Sequence, residues 1–84
     1  MPLFMDVHDM SDGGVSAADV AGAHQKDLET QEKYGVNYLR YWVDEEKGKI
    51  FCLVESPDEE SANTVHREAH GLVADEIYRV QEGS

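Results

Sequence analysis

The chain has 84 residues, 40% hydrophobic and 30% charged, a globular composition with room for one domain. Eighteen Asp and Glu oppose seven Lys and Arg, for a net charge of −11; that field repels phosphate backbones and anionic lipid, which excludes nucleic acid and a basic membrane-surface role. A chain this short buries only about 60% of its unfolded surface, so an enclosed cofactor site is disfavoured and a partner subunit would add stability.

Residues 3–8 alternate as a strand, with Leu3, Met5 and Val7 on one face and Phe4, Asp6 and His8 on the other. A turn-rich loop, Asp9 to Gly14, follows. Ser16 and Asp19 are spaced as a capping box, which starts a helix that runs to about Tyr34 and ends at Gly35. Its inward stripe is expected at Ala17, Val20, Ala21, His24, Leu28 and Gln31. Residues 36–43 are rich in β-branched and aromatic side chains and form the second strand. Asp44 to Gly48 makes a hairpin turn, and residues 49–55 return as the third strand. Ser56-Pro57-Asp58-Glu59 offers an N-cap serine, a first-turn proline and a glutamate, so a second helix begins there and stops at Gly71. Its core stripe is expected at Ala62, Val65, Ala69 and Leu72. Residues 76–80 form the last strand, and residues 81–84 a loose tail.

Strand, helix, strand, strand, helix, strand is the ferredoxin-like βαββαβ order, an α+β fold with two helices on one face of an antiparallel sheet. Leu39, Tyr41, Val43, Ile50, Cys52 and Val54 are assigned to the helix side. Phe4, Tyr38, Trp42, Phe51 and Leu53 then fall on the opposite face, along with Asp6, His8, Arg40 and Glu55. So much exposed apolar surface calls for a cover, and a homodimer pairing sheet to sheet as an α+β barrel supplies one.

The single cysteine, Cys52, lies in an apolar run and fits a buried thiol in a reducing cytoplasm. The opening residues lack a signal-peptide pattern, and no apolar run reaches the roughly 18 residues of a membrane span. The histidines hold the chemistry. His66 and His70 stand four apart on the second helix, so both rings leave one face and could chelate one ion; the plain alternative is two exposed histidines. His24 lies on the inward stripe, where with Gln31 and Cys52 it could line a small pocket between helices and sheet. His8, with Asp9 and Asp12, is placed at the same end of the sheet as Asp58, Glu59 and Glu60, on the view that the first and third strands run parallel. His66 and His70 then lie toward the other end, and two separate surface sites are expected. No phosphate loop, paired cysteines, calcium loop or acid–base carboxylate spacing is present.

The segments Gln31–Val36, Leu39–Asp44, Gly48–Val54, Ser56–Asp58 and Ala74–Ile77, with Met5-Asp6-Val7-His8 and above all His66-Arg67-Glu68-Ala69-His70-Gly71-Leu72, resemble the small actinobacterial nickel-binding, nickel-responsive proteins. That group sits in a broader family of unknown function. The resemblance implies a ferredoxin-like subunit, a dimer, nickel bound at the dimer surface, and a role in nickel sequestration or tolerance. The family's histidine positions are matched by His8, His24, His66 and His70. Imidazole and carboxylate suit Ni(II), and equally Zn(II), Co(II) and Cu(II), so the choice of nickel comes from the resemblance. The sequence thus points to a non-enzymatic cytoplasmic nickel protein with metal ligands among His66, His70, His8 and His24. The alternative is an enzyme or small-molecule binder with a pocket between helices and sheet.

Overall fold

A computed structural model describes residues 2–83. The elements are β1 (Leu3–Asp9), α1 (Ala17–Thr30), a 3-10 turn (Gln31–Tyr34), β2 (Asn37–Asp44), β3 (Lys49–Glu55), α2 (Glu59–Ala69) and β4 (Glu76–Arg79). This is the expected ferredoxin-like order. Residues 81–83 are exposed and outside any element, and Ser84 of the expected tail lies outside the described residues.

Local chemistry sets the helix ends. Ser16 is extended and its hydroxyl accepts from the Asp19 amide at 3.1 Å, which caps α1. Gly35, at φ 66°, closes the 3-10 turn, where a side chain would be strained. The cap of α2 is Asp58 rather than Ser56: its carboxylate accepts from the Ser61 amide at 2.7 Å. Ser56 is fully buried and donates its hydroxyl to the Asp58 carbonyl at 2.6 Å.

The strands lie in the order β2-β3-β1-β4, each antiparallel to its neighbours. β1 and β3 are therefore antiparallel, not parallel, with Leu3 opposite Glu55 and Asp9 opposite Lys49. The consequence is large. β3 ends beside the start of β1, so α2 begins there and runs back toward His8, placing His66 and His70 at the His8 end of the sheet.

The face assignment also changes. Phe4, Asp6 and His8 of β1 lie under the helices, and all three are buried. In β2 the pairing passes from Tyr38–Val54 to Arg40–Leu53, so Leu39 is an extra residue in a bulge. Tyr38 is thereby buried and Leu39 left 42% exposed, the reverse of strict alternation. The core joins Phe4, Tyr38, Ile50, Cys52 and Val54 to Val20 of α1 and Ala62 and Val65 of α2. On α1 the buried residues are Val20 and Asp27, while Ala17, Ala21 and Leu28 are exposed; the inward stripe is rotated by about one residue. Leu72 is exposed as well.

The other face of the sheet holds Leu3, Met5, Val7, Trp42, Phe51 and Leu53. No element of the described chain covers it; Trp42 is 47% exposed. Among the described residues, no helix is long and apolar enough to cross a membrane.

Candidate metal centre

The helix-covered face contains an unusual core. Asp6, His8, Asp27 and His66 are all at most 4% exposed. A buried charge must be paired, and these pair with one another. His66 is at the centre. Its Nδ1–H donates to Asp27 Oδ1 at 2.9 Å and its Nε2–H to Asp6 Oδ2 at 2.9 Å. The Tyr38 hydroxyl donates to Asp6 Oδ2 at 2.8 Å and stands 2.8 Å from His66 Nε2. His70 Nε2 is 3.0 Å from Asp27 Oδ1, and its Nδ1 accepts from the Leu72 amide at 3.1 Å. His8 Nε2 lies 3.3 Å from His66 Nε2 and 3.2 Å from Asp6 Oδ1. The second distance suits an ion pair, but Asp6 Oδ1 has no hydrogen-bond partner among the described residues.

Electrostatics follow the geometry. Burial opposes a charged His66, yet its hydrogen bonds to Asp27 and Asp6 outweigh burial and lift its pKa to about 9. Burial likewise opposes charge on Asp6, but the contacts with His66 and His8 hold its carboxyl below the usual range. Asp27 is held low by His66 and His70 in the same way. Burial and the Asp6 charge push the Tyr38 phenol and the Cys52 thiol upward, so both stay protonated. His66 balances one of two buried carboxylates.

Three of the four expected histidines are thus brought together, in one buried cluster rather than two surface sites. One donor atom each from Asp6, His8, Cys52 and His66 lie within 4.8 Å of one another, and so do those of Asp27, His66 and His70. His24 belongs to neither group. It packs on Tyr41, ring centroids 4.7 Å apart, on the wall of a cavity of about 290 Å³ that also reaches His8, Asp27 and Cys52. Burial lowers its pKa. Gln31 faces elsewhere and accepts from the Tyr38 amide at 2.8 Å. Asp9 and Asp12 are exposed, with Asp9 paired to Lys49 at 3.3 Å.

Asp6 was expected at an interface, and Asp27 was missed altogether. A signal for Asp27 existed: Val20, Ala23, His24, Asp27 and Gln31 form a helical stripe at steps of three and four. An acid on such a stripe requires a buried partner.

No curated protein matches the chain. Among solved structures it is similar to SCO4226 from Streptomyces coelicolor A3(2), at 36% identity over 98% of this chain and 99% of that one, with a TM-score of 0.88. Residues 4–80 match the family described as nickel responsive protein SCO4226-like. That span runs from Phe4, two residues ahead of Asp6, to the end of β4 and takes in the whole cluster, and the chain belongs to this nickel-responsive family.

Proposed function

We propose that the chain is a non-enzymatic binder of Ni(II), with His8 Nε2, His66 Nε2 and the Asp6 carboxylate as its donors. One observation supports this most directly: two imidazole nitrogens face each other at 3.3 Å beside a buried carboxylate oxygen that has no hydrogen-bond partner among the described residues. Two nitrogens held by one ion at about 2.1 Å stand roughly 3.0–3.4 Å apart in octahedral or tetrahedral sites. The donor types suit Ni(II), and the family description favours nickel over zinc, cobalt or copper.

The remaining residues have supporting roles. A metal-bound histidine commonly gives its other N–H to a carboxylate, and His66 Nδ1–H already donates to Asp27. His70 fixes Asp27 from the other side. His70 is then a positioning residue, and His24 stands outside the donor set. Binding must expel the proton from His66 Nε2. Among the described residues, Asp6 and Asp27 are engaged by histidines and the Cys52 thiol is held protonated, which favours storage over catalysis. Sequestration or tolerance of nickel in the cytoplasm fits such a protein. The open apolar face of the sheet favours a homodimer.

Equilibrium dialysis against Ni(II) tests the reading. His8→Ala should weaken binding at least about tenfold by removing one ligand, with far-ultraviolet dichroism unchanged. Asp6→Asn, which keeps the shape, should do the same. Unchanged affinity in both variants would remove this cluster from the site. Because His66 titrates at about 9, apparent affinity should fall about tenfold per unit as pH drops from 9 to 7.

A further inference from the structure

His8, Asp27, His66 and His70 of the cluster also line the cavity between α1 and the sheet, whose apolar walls this reading does not use. Its volume of about 290 Å³ is at the lower end for small-molecule sites. The walls are apolar, with Val15, Val20, Ala23, Ile50 and the Tyr41 ring among them. The floor is polar and acidic. Asp27 Oδ1 is occupied by His66 and His70. Neither contact engages its Oδ2, and Asp27 lines the cavity. The floor therefore presents a carboxylate acceptor. Asp19 adds a further acid to the lining.

We propose that this cavity binds a small organic cation, a primary amine attached to a single apolar ring. The ring sits against Val20, Ala23 and Tyr41. The ammonium donates to Asp27 Oδ2. Anionic ligands are repelled by the same carboxylates. The site shares lining residues with the metal reading, so it is tested on the metal-free chain.

Benzylamine is the probe, titrated into the full chain after dialysis against a chelator and followed by amide chemical shifts. Saturable shifts confined to the residues around Val20, Ala23 and Tyr41 are expected. Benzyl alcohol should bind about tenfold or more weakly, because it lacks the charge-assisted hydrogen bond, and benzoate should not bind. Ala23→Phe fills the cavity and should abolish benzylamine binding while nickel dialysis is unchanged. Benzyl alcohol or benzoate binding as tightly as the amine would overturn the proposal. So would shifts spread over the acidic surface, or no saturable binding at millimolar amine. Failure of the nickel reading would appear separately, in the dialysis.

Discussion

Along β1 the two faces of the sheet are the reverse of the usual arrangement, although Phe4 and the apolar core also lie under the helices. The helix-covered face hides Asp6, His8 and His66, while the uncovered face displays Leu3, Met5, Val7, Trp42 and Phe51. A single strand, β1, shows both halves of the inversion: Asp6 and His8 point under the helices, while Leu3, Met5 and Val7 point away. Hydrophobic burial alone would choose the opposite rotation, since apolar burial contributes about 25 cal/mol per Å² and buried charge costs several kcal/mol. The observed rotation is sustained because every buried charge finds a partner. What it teaches is that each face is incomplete in a different way: one holds an excess of negative charge, the other lacks a cover.

The covered face can be broken hardest. His66→Ala leaves Asp6 and Asp27 buried without their cation and should cost about 3–5 kcal/mol in the metal-free chain. For 84 residues total stability is only about 4–13 kcal/mol, so urea unfolding will show a large shift or loss of the transition. A change below about 1 kcal/mol would show that the charges are not held as described. A pH series sharpens the same point. His66 has a folded pKa of about 9 against an ordinary 6.5, so its contribution is complete below 6.5 and disappears as pH rises through 9. That amounts to roughly 3 kcal/mol. Asp6 and Asp27 are shifted down, so their share is present above about 4 and is lost as pH falls below it. Stability of the metal-free chain should therefore peak between about 4 and 6.5. A maximum above pH 8 would contradict a charged His66.

The open face should respond differently. Trp42→Ala removes a side chain already 47% exposed, so the fold should lose no more than about 1 kcal/mol. Its main effect is expected on assembly: light scattering should move from a dimer toward the 9.4 kDa subunit. A wild-type chain that is already monomeric would leave the apolar face without a partner of its own kind.

Much of the fold was legible because it depends on local chemistry. The Ser16 cap, Gly35, the β2–β3 hairpin and the element order are each encoded within a few residues. The errors came from relations between distant segments. Alternation cannot reveal an extra residue in a strand, so the bulge at Leu39 exchanged the faces of Tyr38 and Leu39. One wrong relative direction, β1 against β3, was enough to separate His66 and His70 from His8. Asp27 went unassigned because its partner is 39 positions away. The histidines themselves were visible as residue types, but their meeting point was not.

The cluster's wiring also bears on the order of events in folding. His66 reaches Asp6 across 60 positions, Asp27 across 39 and His8 across 58. Closing such separations is slow compared with forming a helix or hairpin, so these contacts are expected to assemble after the transition state. Conservative changes there should then leave the refolding rate nearly constant and accelerate unfolding. The residues that hold the molecule shut would thus be the last to arrive, and the lifetime of the native state would depend on them more than its rate of formation does.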